Sequence, residues 1–373
     1  MHHRSHRRAT AGAALAGLTA LVGACGSNAH QTSPTTVAST TTSATTVVAT
    51  SASVTTVAST ASGASSSTAA PASTPSGPPS PLTGLPSANA ATLGRPALVV
   101  KINNHPLARP QIGLNQADVV FEEEVEGITR FAAVFQSTDS TPVGPVRSAR
   151  TSDVDIVAQL SHPLFAWSGG NAGVQRAISR ADLTDVGASA HYEPGGFFRD
   201  NRGHPGIAVE HTLFADTVKL FAEAPAGQGA PAPLFTYRAA GVASTGDAVG
   251  TVKLAMDGTP VEYTWDANVK GWARTEYGTP HVDDKGVRVA PANVVILFTN
   301  YRRSPADPKS PEAITIGHGD AWVLTDGKIV KGTWDRPDGA KPATLTDASG
   351  QAIALTPGRT WVELPRPGEG TAA

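Results

Sequence analysis

Residues 117–135 read ADVVFEEEVEGITRFAAVF, and this stretch sets the fold of the first half of the chain. Two runs rich in β-branched and aromatic residues, 117–125 and 128–135, flank Glu126 and Gly127. A two-residue connection with glycine in second place is typical of a tight β-hairpin, because glycine adopts a positive φ without steric cost. The stretch therefore predicts two antiparallel strands joined by a tight turn.

The register of this hairpin places complementary side chains opposite each other. Glu123 faces Arg130 and Glu124 faces Thr129, and such cross-strand pairs stabilise an antiparallel sheet. Before the hairpin, the apolar run at 97–102 predicts a buried strand that enters a turn. After it, helices are predicted at 151–160, 172–181 and 215–222.

Beyond Leu234 the pattern changes to short alternating runs separated by Asp-Gly pairs. Alternation between such turn residues is typical of antiparallel strands joined as hairpins. The runs lie at 252–256, 261–265, 294–298 and 321–324, and the Asp-Gly pairs at 257–258, 326–327 and 338–339. The sequence therefore predicts an α+β protein, with an N-terminal mixed α/β domain at 82–225 followed by a mostly antiparallel β domain at 234–367.

Charged residues are distributed very unevenly along the 373 residues. No Asp, Glu, Lys or Arg occurs between Arg8 and Arg95, whereas all 31 acidic and 26 of the 29 basic residues lie from Arg95 onward. The chain is therefore not one continuous globule. Its charged part is slightly acidic, while nucleic-acid binders need a basic excess to neutralise phosphates. We therefore expect no nucleic-acid partner.

The N-terminal residues have the organisation of a lipoprotein signal. Three arginines precede an apolar run that is too short to span a bilayer and that ends in VGAC at 22–25. This tetrad resembles a bacterial lipobox, in which the cysteine thiol is acylated, for example with palmitate. We therefore expect a signal peptide at 1–24 and a lipid anchor at Cys25 on the outer, extracytoplasmic face of the cell membrane. The alternative is a free or buried thiol.

Residues 25–81 are dominated by Ser, Thr, Ala and Pro, and 27 of the 50 residues at 31–80 are Ser or Thr. Such a composition offers too little bulky apolar surface to offset the entropy that is lost on ordering. The segment is therefore predicted to be a disordered tether between the lipid anchor and the folded part.

Several motifs resemble those of a known family of bacterial lipoproteins. In the first half they are RPALVVKINN at 95–104, ARPQIGL at 108–114, ADVVFE at 117–122, EGITRF at 126–131, GPVRSAR at 144–150 and FRD at 198–200. In the second half they are NVV at 293–295, GK at 327–328, GTW at 332–334 and PGRTW at 357–361. In this order they resemble the YerB family over residues 82–365. The resemblance implies a two-domain α+β lipoprotein, and the family has no established activity to transfer.

One segment departs from the family pattern. Where the family usually shows Pro-His-Asn before a Leu-Tyr pair, this chain has EHTLF at 210–214. A role of that asparagine therefore does not carry over to this chain, whereas the histidine, His211, is present.

The strongest functional signal is a set of arginines in predicted loops and strands. Guanidinium groups bind carboxylate or phosphate in a bidentate manner, so several that converge form an anion site. We predict a ligand site from Arg109, Glu122, Arg130, Arg147, Arg150, Arg199 and His211. The alternative is that the arginines form structural ion pairs with Asp118, Glu122, Glu124 and Glu126.

A catalytic interpretation would use Glu122 or Glu126 as a base beside an arginine. Sequence spacing does not fix the distance between carboxylates that such chemistry requires. Ser168 lies in a glycine turn but lacks the G-x-S-x-G form of an activated nucleophile. The sequence therefore assigns no catalytic residue and favours a non-catalytic role.

Neither a metal nor a cofactor is predicted. His191, His204 and His211 lie within 21 residues, but their spacing matches no metal-binding motif. A glycine-rich phosphate loop is also missing from the sequence.

These patterns together predict a tethered lipoprotein that binds an anionic or carbohydrate-containing component of the cell envelope. Two alternatives stay open, namely a hydrolase or transferase acting on wall glycan or phosphate-linked polymer, and a structural or protein-interaction module. Converging, unpaired arginines would favour binding. A carboxylate beside an open cleft would favour catalysis, and arginines each paired with Asp or Glu would favour the interaction module.

Overall fold

The computed structural model of the chain describes residues 77–87, 89–239 and 241–373. The predicted signal peptide at 1–24, the acylation site Cys25 and the predicted tether up to residue 76 lie outside the described residues. Within the described part, every helix is too short or too polar to cross a membrane.

Short helices and many strands alternate along the described chain. The helices are α1 (Ala90–Gly94), α2 (Ser152–Ala158), α3 (Ala172–Ile178), α4 (Ala188–His191) and α5 (Thr217–Phe221). The strands of the first half are β1 (Leu98–Asn103), β2 (Val119–Glu124), β3 (Thr129–Phe135), β4 (Leu164–Ala166), β5 (Thr184–Asp185), β6 (Phe197–Arg199) and β7 (Leu213–Ala215). Those of the second half are β8 (Asp247–Ala248), β9 (Thr251–Met256), β10 (Thr259–Asp266), β11 (Gly271–Glu276), β12 (Thr279–Pro280), β13 (Asn293–Leu297), β14 (Tyr301–Arg303), β15 (Pro311–Ala313), β16 (Gly317–Thr325), β17 (Lys328–Arg336), β18 (Thr344–Asp347), β19 (Thr360–Glu363) and β20 (Gly370–Ala372).

The predicted hairpin forms in the predicted register. Glu123 lies opposite Arg130, and Glu124 lies opposite Thr129, on the antiparallel strands β2 and β3. Gly127 in the turn has a φ of 75°, which glycine adopts without the steric cost that a side chain would bring. The hairpin is thus set by the local sequence.

A large mixed sheet takes strands from both halves of the chain. Its order is β18-β17-β16-β13-β19-β2-β3-β1-β4-β5, and β8 also pairs with β17. The late strand β19 runs parallel to both of its neighbours, with Thr360 opposite Val119 on β2 and opposite Asn293 on β13. The segments 82–225 and 234–367 therefore share one sheet, and their division into two domains stays a prediction.

The large sheet has a core on each face, because successive side chains of a strand point to opposite sides. On one face, Val100 packs in a cluster with Tyr263 and Trp272 of a second, antiparallel sheet with the order β12-β11-β10-β9-β20. On the other face, Val99 packs with Ile156 of α2 and with residues of α3. The predicted α+β class is confirmed.

Candidate functional site

The loop between β3 and α2 lies along the end of β1 and carries two of the predicted arginines. The Asn103 amide donates to the Pro145 carbonyl, and the Arg147 amide donates to the Lys101 carbonyl, each at 2.9 Å. On the other side, the Ser168 amide donates to the Arg147 carbonyl at 3.0 Å. Hydrogen bonds on both sides fix the backbone of the loop at Arg147.

Arg130 on β3 contacts this loop and is almost fully buried. Its Nη1 donates to the Ser148 carbonyl at 2.9 Å, while its buried Nε has no hydrogen-bond partner among the described residues. Burial, and then the charges of Arg150 and Arg147, lower the pKa of Arg130 to about 9. Glu123 lies opposite Arg130 but directs its carboxylate to a lysine on β1. The charge of Arg130 is therefore poorly compensated.

Arg147 and Arg150 differ in how their charges are compensated. Glu126, in the hairpin turn, accepts hydrogen bonds from Arg150 Nε at 2.9 Å and from Arg150 Nη2 at 2.6 Å. The Arg147 side chain, by contrast, makes no hydrogen bond and no ion pair with any described residue, and its Nε is buried. Burial lowers the pKa of Arg147, Glu210 opposes this effect, and Arg150 adds to it. We refer to Arg130, Arg147 and Arg150 as the arginine cluster.

His211 lies close enough to Arg147 for the two charges to interact. Its ring stacks on that of His105 with centroids 4.9 Å apart, and its Nδ1 lies 2.7 Å from the side-chain amide of Asn103. Burial lowers the pKa of His211, and the charge of His105 lowers it further, against the effect of Glu210. His211 is therefore a neutral hydrogen-bonding group beside Arg147 at neutral pH.

An open cavity of about 390 Å³ lies beside the arginine cluster. The polar groups that line it are Glu126, Ser148, Arg150, Asn171, Ser304, Asp307 and Ser310. Ligand sites combine a concave shape with a few polar groups that fix the orientation of the ligand. The hydroxyl and amide groups of this cavity match a ligand that carries hydroxyl groups next to an anion.

Three other residues of the predicted ligand site make their contacts with residues outside the arginine cluster. Arg109 forms an ion pair with Glu276 at 2.6 Å, and Glu122 is fully buried in the core. Arg199 donates to the Val209 carbonyl at 2.6 Å and to the Thr212 hydroxyl at 3.1 Å, and so supports the segment that carries His211. The structural ion-pair alternative thus describes Arg150, which pairs with the expected Glu126, whereas Arg109 is paired with a carboxylate that was not anticipated. Neither Arg130 nor Arg147 forms an ion pair with a described residue.

The buried partners of Glu122 were missed by the sequence analysis. Arg274 on β11 is fully buried and lies 2.7 Å from both Glu122 and Glu276. Its guanidinium also lies 4.8 Å from the Trp361 ring, which favours a cation. Side chains alternate between the two faces of a strand, so Arg274 lies on the same inward face of β11 as Trp272. This alternation is the sequence signal that could have identified Arg274 as buried.

A third carboxylic acid, Glu363 on β19, completes this buried network. Burial raises its pKa well above the usual range, and the neighbouring charge of Glu122 raises it further. Tyr263 donates a short hydrogen bond to it. Glu363 is therefore held neutral in the core, and the network of Arg274 with Glu122 and Glu276 is closed to solvent. Among the residues that the structure describes, no group of three His, Cys, Asp or Glu is arranged to hold a metal ion.

Two family models match the chain in succession. The N-terminal domain of DUF3048, described as a protein of unknown function, matches residues 82–229, and the C-terminal domain of DUF3048 matches residues 251–362. The resemblance that the sequence motifs indicate is thus confirmed.

A similar protein is YerB of Bacillus subtilis strain 168, whose given name describes it as a lipoprotein. It is 29% identical over 296 residues, which are 76% of this chain and 85% of the relative. The crystal structure of YerB from Bacillus subtilis has a TM-score of 0.68 to this chain at 24% identity, covering 79% of this chain and 99% of that one. The two proteins share the fold.

Proposed function

The chain belongs to the DUF3048 family in both of that family's domains, and on this premise we propose that it is a membrane-anchored lipoprotein whose arginine cluster binds an anionic group of a cell-envelope component. The anchor follows from the similarity to a lipoprotein. Acylation of Cys25 and placement on the outer face of the membrane belong to the same proposal, since the lipobox at 22–25 directs a chain to that place.

The observation that carries this proposal is that the Arg147 guanidinium makes no hydrogen bond and no ion pair with any described residue. Its guanidinium has no partner among the described residues, although it is half-buried and lies near the cations Arg130 and Arg150. Cations that are held close together in a partly desolvated place destabilise one another. A bound anion removes this repulsion, and a planar guanidinium offers it two parallel hydrogen bonds.

The adjoining cavity suggests what the ligand carries next to its anionic group. Ser148, Ser304 and Ser310 offer hydroxyl groups, and Asn171 offers an amide, next to the charge of Arg150. Such groups donate to and accept from sugar or polyol hydroxyls. We therefore infer that the anion is a phosphodiester or carboxylate on a hydroxyl-rich polymer.

The environments of the two candidate bases, Glu126 and Glu122, support binding rather than catalysis. Burial acts to raise the pKa of Glu126, but the two hydrogen bonds from Arg150 and the charge of Arg150 hold it at about 2. A general base works best with a pKa near the operating pH, so Glu126 is a weak base. Glu122 is enclosed in the core and paired with Arg274.

The proposal is tested by calorimetric titration of the full chain in detergent. The probes are a glycerol phosphodiester oligomer, a uronic acid oligomer and a neutral glucan of equal length. We expect at least one anionic probe to bind and the glucan to bind weakly. Arg147→Ala should lower the affinity for the anionic probe by about tenfold or more, because a charge-assisted bidentate contact contributes about 1.5–3 kcal/mol.

Two variants distinguish binding at Arg147 from nonspecific attraction of an anion by positive charge. Arg147→Lys keeps the charge but loses the planar fork, so its affinity should lie between those of the wild type and the alanine variant. Arg180→Ala removes an exposed arginine elsewhere on the surface and should leave the affinity unchanged. Equal affinity of the wild type and Arg147→Ala for every anionic probe would rule out the proposed site.

A further inference from the structure

A separate buried cluster joins β1, β2 and α2. The Nζ of Lys101 lies 2.7 Å from Glu123 Oε1 and 2.8 Å from Asp153 Oδ1. Lys101 and Asp153 are fully buried, and the Glu123 side chain is 1% exposed. From this geometry we propose that Lys101 and Asp153 form an intramolecular isopeptide bond, with Glu123 as the proton-transfer group.

The surroundings of the cluster are apolar. Val99, Phe121, Ala132 and Ile156 belong to the apolar core on this face of the sheet. Moving a proton from a buried ammonium to a buried carboxylate removes both charges from a medium that solvates them poorly. The products are a neutral amine, which is a nucleophile, and a carboxylic acid, which is an electrophile.

The carboxyl group of Asp153 is more easily protonated than that of an ordinary aspartate. Burial raises the pKa of Asp153 to about 6, the charge of Lys101 acts against this rise, and Glu123 adds to it. A carboxylic acid accepts attack by an amine, whereas a carboxylate does not, because its negative charge is delocalised over both oxygens.

The two oxygens of Asp153 lie in different environments. Oδ1 faces the Lys101 amine, while Oδ2 accepts a hydrogen bond from the backbone N–H of Arg150 at 2.7 Å. A preorganised N–H stabilises the negative charge that develops on an oxygen when a nucleophile adds to the carbonyl carbon. Oδ2 is therefore placed to become the amide oxygen, and Oδ1 is placed to leave.

The step balances without any external reagent. Nζ of Lys101 bonds to Cγ of Asp153, and the bond from Cγ to Oδ1 breaks. Glu123 takes a proton from Nζ and delivers it to the Oδ1 hydroxyl, which departs as water, so Glu123 returns to its starting state. Its Oε2 is buried without a hydrogen-bond partner among the described residues and is free to carry the proton. Fixed proximity of amine and acid replaces the activation that peptide bond formation in water requires.

Mass spectrometry of the full chain tests this inference. The chain carries Cys25→Ala, so that acylation does not change its mass, and it is denatured before measurement. We expect a mass lower by one water molecule than the sequence requires. A tryptic digest should also lack the free linear peptide from Thr151 to Arg176, since this peptide contains Asp153 and stays attached to Lys101. A full sequence mass together with the free peptide would overturn the inference.

Three variants identify the reacting groups. Glu123→Gln removes the proton carrier, so the full sequence mass and the free peptide should return, and persistence of the water loss would remove Glu123 from the mechanism. Asp153→Asn should lose ammonia instead of water, because the side-chain amide then supplies the leaving group. Glu193→Gln, at an exposed position outside the cluster, should keep the water loss. The mass of the chain that carries Cys25→Ala alone decides the existence of the bond even if a further variant fails to fold.

Discussion

The guanidinium of Arg274 on β11 lies 2.7 Å from the carboxylate of Glu122 on β2, and neither side chain is exposed. This ion pair links the five-stranded sheet to the large sheet across the core between them. Glu276 shares the same cation at 2.7 Å. Removing one partner from such a pair leaves a buried charge without compensation, and that loss costs more than the pair itself contributes.

We predict that Arg274→Met lowers the free energy of unfolding by about 3–5 kcal/mol, because Glu122 and Glu276 then stay buried without their cation. Urea unfolding of the full chain measures this loss. The control is Lys253→Met, which removes a cation that is 64% exposed and pairs with the partly exposed Glu262, and which should cost no more than about 1 kcal/mol. Equal costs for the two variants would contradict the structural role of Arg274.

The ion pair between Glu126 and Arg150 should contribute to stability in a pH-dependent way. The pKa of Glu126 falls from 4.5 to about 2 on folding, so its contribution is fully present above pH 4.5 and is lost as the pH falls toward 2. We therefore expect the difference in unfolding free energy between the wild type and Glu126→Gln to shrink through this window. The effect is small, because the Glu126 side chain is 39% exposed.

Urea unfolding curves recorded through the same pH window test this expectation. Glu193→Gln is the control, because Glu193 is exposed and its side chain makes no ion pair with the described residues. A wild-type advantage over Glu126→Gln that stays constant down to pH 2 would show that Arg150 does not hold Glu126 ionised.

Anchoring through Cys25 predicts the distribution of the protein in fractionated cells. Cys25→Ala removes the thiol that an acyl chain would occupy, so the variant should move from the membrane fraction to the soluble fraction. Ala24→Ser keeps a small residue before the thiol and should stay with the membranes. Retention of Cys25→Ala in the membrane fraction would show that another feature anchors the protein.

Local features of the fold could be predicted because their causes lie within a few residues. Gly127 dictates the turn, and the turn dictates that Glu123 faces Arg130. The helix predicted at 151–160 forms at Ser152–Ala158. The convergence of Arg147 and Arg150 near Arg130 could also be anticipated, since the hairpin and the loop after it are adjacent in sequence.

Long-range features could not be predicted, because a parallel pair leaves no turn signal in the sequence. Nothing near Thr360 indicates that β19 lies between β2 and β13. The cation that Glu122 binds is equally remote, since Arg274 follows it by more than one hundred residues. The sequence therefore indicated carboxylates and arginines in abundance without indicating which of them pair.

The position of β19 also determines when the protein can fold during synthesis. A chain is made from its N-terminus, and β19 (Thr360–Glu363) follows every other strand of the large sheet in sequence. Until this strand leaves the ribosome, the edge of β2 has no partner, and β13 lacks its parallel neighbour. The early hairpin can form before then, but the large sheet closes only after β19 has been made, so this strand sets the earliest time at which the sheet is complete.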